Sequence, residues 1–503
     1  MNEWNSGYVT DISYTANQHP DAAPHRVILA TLLTGFATDL PDRAEGVNML
    51  ELGCGRGIDA LLVAAGNPGW QVTAVDFMPG HIAEARTLAR ETGIENITYI
   101  EADLSNFAET DIARALPMFD VVTMHGVWSW VPEVVRAGIV RLLATKVQPG
   151  GLVHVSYNAL PGLQGALAFQ RMIYEAGRSI TGRSDAQAAA GIALARELVA
   201  AEARHLDQKA VHDMLEVLEK VPVEYISHEY MNAAWHPCFQ IDVASAMAPA
   251  KLEFVGVTRL LDNFRELTLS EPQLALFKRH ADNPRVAQLI SDTCTASTFR
   301  HDVYVRGARR LTVSEQYDAL CRRTVALTVI PEKFVYKLDV MAGQATLNRA
   351  YYEPIVNALA EGPRKVGELL QIGGMAPGEG NPAELIGILV GTGQAVYLPY
   401  PQAEPGARIA RVNAVLARRM VRAGTLANQG PMASARTGAG FPSRLAELFL
   451  VERLNAAGGA IDPGVWAAEL NPGMAEEEHK LLTGALGEAL RERFALWRHA
   501  GAL

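Results

Sequence analysis

Between Asn48 and Tyr157, five short apolar runs alternate with stretches of helical spacing, and this alternation restricts the fold more than any other feature of the chain. Val47 to Leu52 predicts a first strand, Trp70 to Val75 a second, Ile97 to Ile100 a third, Phe119 to Met124 a fourth and Leu152 to Ser156 a fifth. Asp59 to Ala65, Pro79 to Thr92 and Val134 to Val147 carry the helices between them. Strands separated by helices are joined by crossovers, so the expected fold is α/β, with a doubly wound, Rossmann-like, mainly parallel sheet.

After Pro161 the pattern changes. Residues 162–220 are rich in Ala, Arg, Glu and Leu, and 162–235 reads as a helical insertion that caps the ligand edge of the sheet. The sheet is expected to resume after a helix from Phe239 to Ala248, with Leu252 to Val257, so that 1–161 and 236–265 form one domain. Residues 266–340 read as a helical middle region and 341–503 as a C-terminal domain. That domain starts with three helical segments, Tyr351 to Ala360, Lys365 to Leu370 and Ala383 to Val390, then the strand-like Gln394 to Leu398. The order is winged-helix-like. With few basic residues on its third helix, a protein-contact scaffold is expected rather than a DNA reader. Gly424 to Pro442, rich in Gly, Ala and Ser, reads as a loop or linker.

The composition narrows the function. A chain of 503 residues with 49% hydrophobic and 20% charged residues should fold into several domains. Cys54, Cys238, Cys294 and Cys321 lie far apart and form no CxxC pair, so no metal site is expected. The chain starts with no basic segment leading into an apolar one, and no run of about 18 apolar residues occurs, so a cytoplasmic protein without membrane partners is expected. Residues 1–160 carry 9 Lys and Arg against 18 Asp and Glu, while the remainder carries 36 against 37. An acidic front domain disfavours nucleic acid and suits a cationic ligand. The oligomeric state is not legible.

The chemistry concentrates where the first strand ends, at Glu51-Leu52-Gly53-Cys54-Gly55-Arg56-Gly57, just before the helix start Ile58-Asp59-Ala60. Alternate glycines turn the backbone sharply and let a ligand lie against the main chain. A dinucleotide loop wants Gly-x-Gly-x-x-Gly aimed at a pyrophosphate. Here the spacing differs, and Glu51 would repel a pyrophosphate while helping to retain a cationic methyl donor. Asp76, ending the second strand, is placed to accept ribose hydroxyls, and Asp103, in Ala102-Asp103-Leu104 after the third, an adenine amino group. The fourth strand runs into His125-Gly126-Val127-Trp128-Ser129-Trp130-Val131-Pro132, where the tryptophans can sandwich adenine or substrate and His125 can accept a proton. An imidazole satisfied in the core is the alternative at His125.

Residues 48–161 resemble a class I S-adenosylmethionine-dependent methyltransferase. His125 to Pro132, Pro149-Gly150-Gly151 and Ser156-Tyr157-Asn158-Ala159-Leu160-Pro161-Gly162 resemble bacterial enzymes carrying a methyltransferase regulatory domain, including the rickettsial protein lysine methyltransferases. His228-Glu229-Tyr230 with Trp235 and Pro237, Phe299-Arg300-His301-Asp302-Val303 with Arg306-Gly307, and Tyr8 and Tyr14 with Pro24 extend the resemblance over about residues 8–310. It implies S-adenosyl-L-methionine held by Tyr14, Glu51, Gly53, Cys54, Gly55, Gly57, Asp76, Phe77, Ala102, Asp103, Leu104, His125, Gly126 and Trp128. His228-Glu229-Tyr230 would border the acceptor, or alternatively fix the cap to the sheet.

The implied reaction is an in-line displacement at a sulfonium-activated methyl carbon, for which the protein aligns and desolvates the partners. A lysine amine, with an unperturbed pKa of about 10.4, is neutral in only about one molecule in a few thousand at pH 7, so the site must strip its proton. His125, Tyr157, His228 and Glu229 are the candidates for that work, with Tyr157 and His228 expected to face the transferred methyl. A protein or peptide acceptor, lysine-directed, fits the resemblance and the acidic front. A small-molecule O- or N-acceptor fits the sheet equally well, and a donor-binding regulator without catalysis is the third reading.

Overall fold

The computed structural model describes residues 7–503, apart from 13–17, 41–42, 205, 207–208, 219–220, 222, 377, 422–427, 458–460 and 472. The strands β1 (Glu45–Leu52), β2 (Gly69–Asp76), β3 (Ile97–Glu101), β4 (Phe119–Met124), β5 (Val147–Asn158), β6 (Leu252–Val257) and β7 (Phe299–Arg306) form one sheet in the order β3-β2-β1-β4-β5-β7-β6. Neighbours from β3 to β5 are parallel, and β7 runs antiparallel to both β5 and β6. Because the chain winds outward from β1 in both directions, a crevice opens at the carboxyl ends of β1 and β4, where ligands of doubly wound sheets bind.

The local sequence explains the elements. The helix Pro79–Thr92 starts with proline at its first turn and stops at Gly93, whose φ of +67° ends it in the left-handed region. β4 is buried along its whole length, as a strand covered on both faces must be. In β5, Val153, Val155 and Tyr157 pack on one face with Tyr304 and the helices Glu133–Lys146 and Gln240–Met247. Leu152 packs on the opposite face with Val303 and Val305. Alternation therefore sends Tyr157 away from the side that carries His154 and Ser156.

The insertion is helical, with Ala166–Arg178, Ser184–Ala200, Lys209–Leu218 and Val223–Tyr230. Its core joins Phe169, Ile173, Ala188, Ile192 and Tyr230 to Val9 and Ile12 of the N-terminal segment. Two expectations are corrected. The stretch 266–340, read as helical, contributes β7 to the main sheet between β5 and β6. The expected linker from Gly424 to Pro442 contains most of a hairpin, Gln429–Ser434 with Ala439–Arg444, whose Met432, Ala433 and Ser434 are fully buried. Its small residues permit close docking on the helix Ile58–Gly66. A Cβ on Gly66 would lie 2.8 Å from Ser434 O and from the Gly438 carbonyl carbon.

Arg408 caps the end of that helix, donating to Ala64 O at 2.9 Å and Ala65 O at 3.1 Å. The C-terminal third also contains the strand Thr324–Leu327 paired antiparallel with Arg364–Lys365 and Ala395–Leu398, beside the helices Arg349–Glu361, Val366–Ile372 and Pro382–Gly391. Among the described residues no helix is long and apolar enough to cross a membrane.

Candidate active site

The loop after β1 is held in a fixed shape. Gly53, Gly55 and Gly57 have φ of +70°, +51° and +76°, the left-handed region that favours glycine. Gly53 N donates to Val75 O at 2.8 Å and Gly57 N to Cys54 O at 2.9 Å. The Tyr99 hydroxyl donates to Gly57 O at 2.7 Å and pins the start of the next helix. The Asp76 carboxylate closes the loop from β2, accepting from Gly55 N at 2.8 Å and Met78 N at 2.9 Å.

Over this loop lies a cleft. Its walls include Glu51, Gly53, Cys54, Gly55, Gly57, Asp76, Phe77, Asp103, Leu104, His125, Gly126, His228 and Glu229, so most of the site residues expected from the sequence converge. Three expected residues do not line it. Ala102 only extends the strand edge, its N–H bonded to Asp76 O at 3.0 Å. Trp128 is buried in the core, and Trp130 takes its place on the wall. Tyr157 is a correction: it is fully buried, and its hydroxyl donates to Asp302 Oδ2 at 2.7 Å on the far side of the sheet, because the β5 alternation points it there. Tyr14 lies outside the described residues.

The electrostatics are acidic. Glu51, Asp59, Asp76, Asp103 and Glu229 line the cleft, and its one Arg or Lys among the described residues, Arg56, is paired with Glu84. Glu51 is 7% exposed, and its Oε2 has no hydrogen-bond partner among the described residues. Burial pushes its carboxyl well above the usual range, with the Asp59 and Asp76 charges adding to the rise against one opposing amide, that of Ala60. An orphaned buried carboxyl beside a glycine cradle fits a cationic ligand. Burial also holds the Cys54 thiol up, which makes it unreactive.

On the acceptor side, the helix Val223–Tyr230 brings His228 and Glu229 to the cleft. Glu229 is partly exposed, through the cleft, and burial of its carboxyl raises the pKa to about 8. Burial lowers that of His228, whose ring meets Ile12 O at 3.0 Å through Nε2. Tyr8 stands between the two halves, edge-on to Phe77 at 5.3 Å and 5.5 Å from the His228 ring. His125 meets Ser156 Oγ at 3.2 Å through Nδ1, and burial together with the neighbouring His19, His301 and His154 keeps it neutral, with its pKa well below the ordinary value.

His19 and Asp59 are wall residues that the sequence did not single out as functional, whereas Trp130 was one of the two tryptophans expected at the site. His19 precedes any periodic element and is 40 positions from Asp59, so only the fold pairs them. Among the described residues no group of three or more His, Cys, Asp or Glu is placed to hold a metal ion.

Comparison with known proteins agrees with this geometry. The family described as "Methyltransferase domain" matches residues 49–151, and "Predicted methyltransferase regulatory domain" matches 222–306. The uncharacterized protein sll1526 of Synechocystis is 31% identical over 367 residues, 73% of this chain and 71% of that protein. A ubiquinone biosynthesis O-methyltransferase of Aeromonas salmonicida is 33% identical over 121 residues, 24% of this chain and 47% of that protein. In fold, the chain is similar to the structure of PKMT2 from Rickettsia typhi in complex with AdoHcy, with TM-score 0.70, 17% identity, and coverage of 97% of this chain and 99% of that one. With its sheet order, glycine loop and strand-end carboxylates, the chain belongs to the class I S-adenosylmethionine-dependent methyltransferases that carry a methyltransferase regulatory domain.

Proposed function

We propose that the chain transfers the methyl group of S-adenosylmethionine to a protein or peptide acceptor, with a lysine amine as the nucleophile. The observation that carries this reading is the acidic cleft: five carboxyl groups line it, against a single arginine that is already neutralised. Glu51 and Glu229, whose burial favours the protonated form in the empty cleft, can ionise as a cation enters, so the wall favours a sulfonium donor and an ammonium acceptor over phosphate or other anionic substrates. The resemblance to rickettsial protein lysine methyltransferases supports the same class of acceptor.

In this reading Glu51, Gly53, Gly55, Gly57, Asp76, Phe77, Asp103, Leu104, His125 and Gly126 hold the donor. Glu51 faces its positive end, Asp76 the ribose and Asp103 the adenine. The donor, once bound, supplies a methyl carbon activated for displacement. The chain's own residues supply alignment and exclusion of water. Glu229, uncharged at neutral pH in the empty cleft, ionises when an ammonium approaches and orients it, with His228 beside it. The cap 162–235 covers the acceptor. The C-terminal domain 341–503, winged-helix-like at its start, serves as a scaffold for protein contacts.

The ubiquinone biosynthesis O-methyltransferase matches only about a quarter of the chain, so that likeness does not select the acceptor. The acceptor atom is tested by blocking lysine amines of a bacterial lysate by reductive dimethylation before adding enzyme and labelled donor. Loss of protein labelling is the expected result, and undiminished labelling of the blocked lysate contradicts a lysine acceptor.

A further inference from the structure

We propose that His19 and Asp59 form the proton-accepting dyad of the transfer, with His19 as the catalytic base and Asp59 as its positioning partner. The inference rests on the reading that the acceptor reaches the cleft carrying a proton it must lose. The two residues come from different parts of the chain. His19 ends the N-terminal segment just before the short helix Pro20–Ala22, and Asp59 stands in the first turn of the helix that follows the glycine loop. Both line the cleft with Glu51 and His125.

Their geometry is specific. His19 Nδ1 lies 2.7 Å from Asp59 Oδ2, and the His19 backbone N–H donates to Asp59 Oδ1 at 3.0 Å. Both carboxylate oxygens are therefore used to fix one residue. A carboxylate on Nδ1 selects the tautomer with its proton there, leaves the Nε2 lone pair to accept, and stabilises the imidazolium that forms. The side chains are 27% and 19% exposed, so the ring reaches solvent while remaining part of the wall.

The groups packed around His19 explain why it, rather than its neighbour, takes the proton. Its ring stacks on His125, with centroids 3.9 Å apart and planes 25° from parallel. Behind His125 lie His301 at 5.5 Å and His154 at 6.4 Å between centroids. Among the described residues His125 has the Ser156 hydroxyl at its Nδ1 and no carboxylate partner. Two stacked imidazoles cannot both be charged cheaply. The one bound to Asp59 is the one that accepts, and the neutral His125 beneath it shapes the floor.

The acceptor ammonium gives an N–H proton to His19 Nε2, and the lone pair so freed forms the N–C bond with the methyl carbon. The C–S bond breaks with its electrons left on sulfur. The proton then passes from His19 to water along the exposed edge of the ring.

The test uses the full-length protein, labelled S-adenosylmethionine and the lysate acceptor fraction. His19→Asn keeps a donor at the position of Nδ1, and so the tether to Asp59, but removes Nε2. It is expected to fold, to bind donor with a Kd within a few-fold of wild type, and to lose about 10²- to 10⁴-fold in kcat with KM little changed. Asp59→Asn should give a smaller loss, and the acidic limb of the pH–rate profile should vanish in His19→Asn. Added imidazole should restore part of the rate to His19→Gly. A His19→Asn enzyme with wild-type kcat and pH profile overturns the dyad, as does a loss in which kcat falls only in step with donor affinity and melting temperature. The chemical form of the labelled product reports separately on the acceptor, so a non-amine product would refute the amine reading without bearing on the rate ratio.

Discussion

Replacing Glu51 by glutamine sets stability against donor binding. In the empty protein the Glu51 carboxyl is buried, lacks a partner at Oε2 among the described residues, and has its pKa raised first by desolvation and then by Asp59 and Asp76. A carboxyl whose folded pKa exceeds its unfolded value costs nothing below the unfolded pKa. The cost then grows as pH rises from the unfolded pKa towards the folded one, because folding there must take up a proton. A glutamine side chain cannot ionise, so Glu51→Gln is expected to melt above wild type, with the gap widening from about pH 5 upward. Donor binding should move the other way. A hydrogen bond to a charged group contributes about 1.5–3 kcal/mol, which corresponds to about a 10- to 150-fold rise in Kd when it is lost. Wild type should also release a proton on binding donor, seen in calorimetry as a buffer-dependent enthalpy, and the variant should not. A variant that melts lower than wild type at pH 8, or binds donor equally well, refutes the role assigned to Glu51.

Four further outcomes follow from the geometry. Gly53→Ala places a Cβ 2.2 Å from Val127 Cγ2 at φ +70° and should lose about 2–5 kcal/mol in denaturant unfolding, whereas Gly55→Ala, with no atom within 4 Å, should lose only the backbone part of about 1–2 kcal/mol. Glu229, with a pKa of about 8, passes from ~10% to ~90% ionised between pH 7 and 9, so the wild-type to Glu229→Gln ratio of kcat/KM should rise about tenfold over that range. Tyr157→Phe removes one bond to Asp302, which Arg300 and Tyr304 still contact, and should keep wild-type turnover at a cost of about 1–2 kcal/mol in stability. Arg408→Ala uncaps the helix behind the glycine loop and should lower both the melting temperature and donor affinity, although Arg408 is not a cleft residue.

The donor half of the site was legible because each of its parts is local. β4 is dominated by apolar residues, and Pro79–Thr92 carries its own start and stop signals. The spacing of Gly53, Gly55 and Gly57 states the loop conformation directly. What escaped depends on partners distant in the chain. β7 carries Arg300, His301 and Asp302, which lie in the stretch read as helical, yet Arg300 pairs with Asp292 and Asp302 in the interior and Asp302 accepts from Tyr157. The hairpin Gln429–Ser434 with Ala439–Arg444 looks like a linker because its small residues exist to approach Gly66 closely. The direction of Tyr157 follows from strand parity rather than from residue type, and the His19–Asp59 pair exists only once the N-terminal segment has crossed the helix start.

Methyl transfer from S-adenosylmethionine to a protein amine in an acidic cleft is open to direct measurement. Purified protein is incubated with methyl-tritiated donor and host lysate, protein is separated from small molecules, and the protein fraction is hydrolysed. Label recovered as methylated lysine, and lost with Glu51→Gln at limiting donor, is the predicted result. Label confined to small molecules, or to protein residues other than lysine, contradicts it.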